Sequence, residues 1–552
     1  MNQACKQCSA NFEITDDDLA FYEKVSPIFN GKKELIPPPT LCPQCRVQKR
    51  FIFRNERKLY HRKCDLTGKQ LVSVYSPEKP YIVYEPTVWW SDAYDPLAYG
   101  RDFDFSRPFF EQFHELNLAV PKSAIQNANS ENSEYTNYSS ENKNSYMAVG
   151  SFGLEDCLYC YRSSQSSDLV DCYELTNSQL CYECSQSKNV YGCGHCQHCE
   201  NCNDCFYCDN CTGCKDCFGC INLRNAQFQI YNTQYSEAEY RTKVTELKRT
   251  TANTTADIRS LHLSVPHRPS TLINCEECTG DQQFDCRHCE DCYVLKNAED
   301  ARYCAVAFGV KDSHDANFAD NIELHYNSTN LHNNYHVLFG VLNWYDKEII
   351  YCMNTFNSRN CFGCTGLKKQ EYCVLNKQYT KEEYEELVPK IIEHMRSTGE
   401  WSEFFPMSIS PFAYNEAVTQ EYFPMSREDV LGKGWTWREE SDQRNQYLGP
   451  DYVIPNTIEE VSDDITKQIL RCEVTGNPYK IIPQELKFYR KMNIAIPKKC
   501  PDERHKERMA LQNPWHLWQR ECAKCRKPIE TTYAPDRPEI VYCEECYLST
   551  VY

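Results

Sequence analysis

The sequence predicts a mainly β, multidomain protein in which a four-cysteine ribbon module at each end flanks a cysteine-lined β-solenoid in two runs, each followed by a capping helix. Three observations carry this. Paired Cys-x-x-Cys knuckles stand near both termini, small residues recur at every third position through the middle, and the end of that pattern is repeated at an offset of 144 residues. A chain of 552 residues with 36 cysteines is far too long for a disulfide mini-scaffold. The net charge of −18 excludes a wholly basic nucleic-acid coat. Residues Met1 to Lys6 lack the apolar run of a signal peptide, and no stretch approaches ~18 consecutive apolar residues. These features predict a cytoplasmic protein without a membrane partner, whose reduced Cys-x-x-Cys pairs imply metal or redox chemistry. Aromatic residues at 13% argue against disorder.

The N-terminal module spans 1–90. Cys5, Cys8, Cys42 and Cys45 deliver four thiolates in two pairs, which is the tetrahedral donor set of a closed structural zinc site. Phe12, Phe21 and Tyr22 lie between the knuckles, and Arg46 opens a helical pattern with Val47 and Phe51 four apart. This set of motifs, over the first 50 residues or so, resembles the small treble-clef zinc-ribbon family. The resemblance implies zinc at those four cysteines.

The C-terminal module, 469–552, is a second copy. Cys472 to Thr475 aligns with Cys5 to Cys8, Phe488 to Lys491 with Phe21 to Lys24, and Cys500 to Arg504 with Cys42 to Arg46. Two ligands of this site have become Thr475 and Glu503, so it is expected to be empty. Further on the loss reverses. Cys522, Cys525, Cys543 and Cys546 form an intact quartet, whereas the N-terminal copy carries Cys64, Thr67, Glu85 and Val88 at the matching positions. Each end thus holds one intact and one degenerate site in opposite order, and two structural zinc ions are expected. Cys64, Cys472 and Cys500 read as small buried packing residues.

Between the modules, every third residue from Ser145 to Ala226 is Ala, Ser, Cys, Leu or Val, and a second run keeps the frame from Cys286 to Leu331 with His325 as the exception. Period three fits neither strand nor α-helix, a long 3₁₀-helix is disfavoured, and 19 Gly with 27 Pro are too few for polyproline or collagen. A solenoid with very short sides remains, with Asn, Asp and Gly suited to its corners. Its rung length is left open among multiples of three. Cys193, Cys196, Cys199, Cys202, Cys205, Cys208, Cys211, Cys214, Cys217 and Cys220 form an unbroken ladder. Two main readings stand side by side: packing as small hydrophobes, or further zinc, copper(I) or iron–sulfur binding by soft thiolates. Disulfide or redox exchange is a third.

The 144-residue repeat pairs Cys217-Phe218-Gly219-Cys220 with Cys361-Phe362-Gly363-Cys364, and Ser236/Glu239 with Thr380/Glu383 as capping boxes that open helices. The expected order is therefore an aromatic connector at 91–123, a first run at 124–235, helix and Thr/Ser-rich linker at 236–272, a second run at 273–379, a helix at 380–400 and an irregular connector at 401–468. The whole layout, with Ser410 to Glu416 and Tyr533 to Pro538, resembles an uncharacterised family of cysteine-rich bacterial proteins. That family implies no activity.

On a helix Arg46, Arg50, Arg54 and Arg57 would share one face beside Phe51, Phe53 and Tyr60, and 498–527 forms a basic counterpart with Trp515 and Trp518. Such faces can track phosphates and stack on unpaired bases, giving RNA or a ribonucleoprotein as one expected partner and another protein as an alternative. The plainer reading is docking against an acidic solenoid. Walker, dinucleotide, nucleophile-elbow and zincin motifs are missing, Asp102 and Asp104 read as turn chemistry, and His195, His198 and His288 lie outside the frame. The expectation is a non-enzymatic zinc-binding scaffold. Its rivals are a metal store or electron carrier using the ladder, and an enzyme hidden in the aromatic segment 89–113.

Overall fold

The computed structural model describes residues 1–248, 251–439 and 452–551. Its centre is a parallel β-solenoid in which strand partners lie twelve residues apart, as in Leu169↔Cys181, Cys217↔Gln229 and Cys361↔Cys373. Isolated bridges keep the same step from Glu131↔Lys143 to Thr212↔Arg224. One rung is four sides of three residues. The 144-residue offset relates equivalent positions of two separate runs, with the helices Glu237–Leu247 and Thr251–Ser264 in the chain between them.

Within each triplet the frame residue points inward, the next pairs with the adjoining rungs, and the third turns the corner. Corner residues are left-handed: His195, His198, Asn201 and Asp204 have φ of 53°, 48°, 54° and 52°. Asn, Asp and Gly do stand at corners as expected, yet Phe228, Val294 and Val306 also turn them at 56°, 58° and 55°. For a β-branched residue this costs about 1–2 kcal/mol, and corner N–H groups donate to the preceding rung, as His195 N does to Tyr182 O at 2.8 Å.

The interior explains the small frame residues. Each inward side chain can meet the backbone of an adjacent rung: Cys199 N donates to Ser187 Oγ at 3.0 Å, and Cys364 N to Cys352 Sγ at 3.3 Å. The thiols donate in turn to carbonyls two residues back and nine ahead, as Cys196 does to Gly194 O at 3.4 Å and Cys205 O at 3.2 Å. Serine and cysteine are small enough for the narrow core and satisfy backbone groups that the ladder leaves pointing inward. His325 fits the same logic. It is fully buried, its Nδ1 lies 2.8 Å from Glu323 O, and burial holds its pKa down at about 3.

Both runs end alike. A hairpin, Gln229↔Gln234 or Cys373↔Gln378, closes the last rung. A capping-box helix follows, Glu237–Leu247 or Lys381–Thr398. Tyr240 and Tyr384 are each 3% exposed and pack on Phe228 and Tyr372 at 5.7 and 5.8 Å.

Two compact units result, and their membership crosses the sequence order. The first joins Met1–Ile125, Ser270–Arg438 and Trp515–Leu517, so the N-terminal module packs on the second run. The second joins Gln126–Pro269, Glu439–Pro514 and Trp518–Tyr552, so the C-terminal module packs on the first run.

The segment expected to be a linker contains a helix, Thr251–Ser264, and a strand, Pro266–His267, that pairs with Ile540–Val541. Threonine is a poor helix former, but packing overrides propensity here, with Ile258 beside Gly219. Residues 249–250 of that expected linker, and 440–451 of the expected irregular connector, lie outside the described residues. The remainder of the connector carries only short helices such as Thr419–Tyr422 and Arg427–Gly432. The aromatic connector holds the helix Phe109–Ala119, whose Phe109 and Phe113 are fully buried.

Candidate metal centres

Four knuckles share one local geometry. The backbone N–H of Cys5, Cys64, Cys472 and Cys522 each donates to the carbonyl five residues on at 2.9 Å, while their own carbonyls accept from the residue four on, also at 2.9 Å. That fourth residue is left-handed in every copy: Ser9, Gly68, Gly476 and Arg526 have φ of 64°, 73°, 71° and 65°. Both the intact and the degenerate sites keep this turn, so backbone hydrogen bonds maintain it independently of the ligands.

In the N-terminal quartet Cys5 and Cys8 come from the turn, Cys42 caps the helix Pro43–Phe51 and Cys45 lies in its first turn. The C-terminal quartet repeats this with Cys543 preceding the helix Glu544–Val551 and Cys546 within it. In each quartet all four sulfurs lie within 4.8 Å of one another, and these two are the only such groups of three or more ligand-type side chains among the described residues. The Cys8–Cys42 and Cys525–Cys543 sulfurs are 3.7 Å apart. A tetrahedral Zn–S₄ centre with bonds of about 2.3 Å needs sulfur separations of about 3.8 Å, so both donor sets fit zinc. The adjacent Cys45 thiol, among other hydrogen bonds, brings Cys42 down to about 5. Burial opposes ionisation of Cys522, but backbone amides of Cys525, Cys543 and Lys524 prevail and bring it to about 6. Donors already arranged for thiolates are what a metal-binding quartet requires.

At the degenerate N-terminal site polar contacts stand where ligands would be. Glu85 N donates to Cys64 Sγ at 3.4 Å, Thr67 Oγ1 to Glu85 Oε1 at 3.3 Å, and Lys69 Nζ to Glu85 Oε2 at 2.9 Å. Cys64, Cys472 and Cys500 are buried, as expected of packing residues.

The arginine face of Pro43–Phe51 is turned onto the solenoid. Arg46 Nε meets Asp315 Oδ2 at 2.8 Å and Arg50 Nη2 meets Asp315 Oδ1 at 3.1 Å. Arg50 also donates to Asn317 and Asn327 at 2.6 and 2.7 Å, and Arg54 donates to Asn330. All three arginines are buried, whereas Arg57 is partly exposed. The expected nucleic-acid face is corrected for Arg46, Arg50 and Arg54: fully buried carboxylate and amide partners compensate their charge, which solvent does not reach. Burial opposes protonation of Arg46, yet the Asp315 charge outweighs it and raises its pKa.

The second unit has the same dock. Arg504 Nε meets Asp171 Oδ2 at 3.2 Å and Arg508 Nη2 meets Asp171 Oδ1 at 3.0 Å. Arg46 lies 5.0 Å over Tyr303 and Arg504 5.2 Å over Tyr159. Tyr22 packs on Tyr326 at 5.1 Å and Tyr489 on Tyr182 at 5.8 Å. Every solenoid partner in these pairs is related by the 144-residue repeat. Sequence reasoning missed Asp171 and Asp315, although that offset was the signal that could have found them.

The ladder cysteines Cys193 to Cys220 are all buried thiols, packed with one another and with Leu169, Leu175 and Val190. Burial pushes the thiols of Cys160, Cys172 and Cys184 well above the ordinary range. His195, His198 and His288 sit at corners beside acids of other triplets: Glu183 at 2.8 Å, Asp209 at 3.0 Å and Asp300 at 3.1 Å. Asp102 pairs with Lys377 at 2.6 Å, and Asp104 accepts from Ser106. Among the described residues no helix is long and apolar enough to cross a membrane. No family model matches the chain, and no curated protein is significantly similar to it.

Proposed function

We propose that this protein is a zinc-stapled, non-enzymatic interaction scaffold. The paired docks carry the reading: Arg46 and Arg50 on Asp315, Arg504 and Arg508 on Asp171, each set fully buried and reproduced across an internal duplication. Zinc in the N-terminal quartet fixes the start of the docking helix. The C-terminal quartet holds the helix whose Tyr547 donates to Asn222 at 3.0 Å. Such an arrangement spends its buried charge on rigidity and leaves other solenoid sides uncovered.

The RNA partner first expected of the arginines suits one of those sides better. Along the second run Phe308 and Tyr345 are 44% and 54% exposed. His332 stands 5.0 Å from Tyr345 and 6.4 Å from Trp344 and pairs with Asp320 at 3.2 Å, and the open stretch ends at Phe356, which Trp90 covers at 4.7 Å. Exposed Lys296 and Lys369 occupy the same side. Rings repeated along a β-stack, with lysines beside them, match the stacking and phosphate needs of single-stranded RNA. Fluorescence anisotropy with a labelled oligouridylate tests this partner. Wild-type binding weakened about tenfold by Phe308→Ala or Tyr345→Ala supports it, at about 1–3 kcal/mol per stacked base. No binding at low salt removes RNA. The scaffold is tested separately, by zinc content and by protection of the docking helices.

A further inference from the structure

Two solenoid cysteines depart from the frame. Cys275 and Cys278 precede the first full rung of the second run, one residue out of register with Cys286 and Cys289. The structure accommodates the slip with an eleven-residue rung, seen in the pairings Leu272↔Gln283 and Glu276↔Arg287. Gly280 permits the shortened side: its φ is +123°, and a Cβ there would lie 1.9 Å from Cys292 O. Glu276 N donates to Cys286 O at 3.0 Å and Thr279 N to Cys289 O at 2.9 Å, which stacks Cys275 on Cys286 and Cys278 on Cys289. Cys275 also interacts with Cys278, Cys278 with Cys289, and Cys286 with Cys289. Four thiols therefore face one another as two stacked Cys-x-x-Cys pairs.

Access distinguishes this group from the rest of the ladder. Cys275 and Cys278 are the only partly exposed cysteines of the solenoid, and all the others are buried. Solvent reaches the two end thiols, and Cys286 and Cys289 lie buried directly beneath them.

We propose that Cys275, Cys278, Cys286 and Cys289 form a third thiolate site, for a soft thiophilic cation, with copper(I) as its chief ligand. Adjacent rungs are spaced about 4.8 Å, wider than the 3.8 Å or so that tetrahedral zinc requires. These four sulfurs are correspondingly not gathered as closely as those of the quartets. A wide thiolate rectangle suits a soft ion of low coordination number, and thiolates select copper(I) by softness. Each thiol that becomes a ligand releases one proton to solvent, and no electron is transferred.

The test uses the full chain with zinc in both quartets, titrated anaerobically with copper(I) alone and, in a parallel arm, with excess zinc alone. Bound copper, released zinc and cuprous-thiolate emission are read for the wild type and for Cys275→Ser/Cys278→Ser. Wild-type uptake of at least one copper(I) without zinc release, lost in the variant while two zinc remain, supports the proposal. A third zinc in the zinc arm, lost in the same variant, keeps the site and replaces copper by zinc. Equal uptake by both proteins, uptake matched by zinc release, or no uptake overturns it. Both substituted residues are partly exposed, and an unchanged thermal midpoint establishes that the variant is folded.

Discussion

Arg46 Nε lies 2.8 Å from Asp315 Oδ2, in a contact that solvent does not reach, and joins the helix after one Cys-x-x-Cys knuckle to a solenoid corner more than 260 residues away in sequence. Arg504 and Asp171 reproduce it at 3.2 Å. Asp315 bridges both guanidinium groups of the first dock, so its removal leaves buried charge uncompensated, whereas at the second dock the buried Glu485 joins Asp171 beside Arg504 at 3.3 Å.

Asp315→Asn is expected to cost about 3–5 kcal/mol in the first unit. Hydrogen exchange should show loss of protection in Pro43–Phe51 with the second unit unaffected, and Asp171→Asn should do the converse. Unchanged protection in both variants would show the docks to be incidental.

Metal analysis of protein purified without added metal should give two zinc per chain. Cys45→Ser and Cys543→Ser should each bring this to one. Thr475→Cys/Glu503→Cys should raise it to three, because the Cys472 knuckle keeps the turn of the intact sites. A count still at two in that last variant would mean the helix start has moved out of ligating range.

The ladder should tolerate Cys196→Ser, since serine fills other frame positions and makes the same kind of contact, as Ser187 does with Cys199 N. A loss under about 1.5 kcal/mol is expected, against 1–3 kcal/mol or more for Cys196→Leu, which overfills a narrow core. The zinc count should not change in either. Loss of metal on the serine substitution would revive the metal-store reading.

Asp346 sits inside the second run, 2% exposed, where Ser358 N donates to it at 2.7 Å and Thr355 also donates. Burial raises its pKa from 3.8 to about 7. The folded state therefore holds this proton over a range where the unfolded chain has released it. Stability falls as pH rises from near 4 to near 7, with the full penalty, up to about 4 kcal/mol, above that window. Asp346→Asn should remove this dependence and stabilise the protein at pH 8 more than at pH 4. Parallel pH profiles for wild type and variant would refute this assignment.

The two four-cysteine quartets, the solenoid, its small-residue interior, its left-handed corners and its two capping helices were all legible in the sequence. Each rests on contacts within one rung or one turn, which leave a short, fixed spacing. Rung length was not legible, because a triplet pattern is compatible with any number of sides and only the pairing of Leu169 with Cys181 closes the coil at twelve.

Tertiary structure alone decided what the arginines do. Arg46, Arg50 and Arg54 have the spacing of an exposed basic face, and spacing records which residues share a side but not what covers it. Burial against Asp315, Asn317 and Asn330 converts that face into a dock. The N-terminal module packs on the second run and the C-terminal module on the first, a pairing set by charge compensation over long separations that no local pattern encodes.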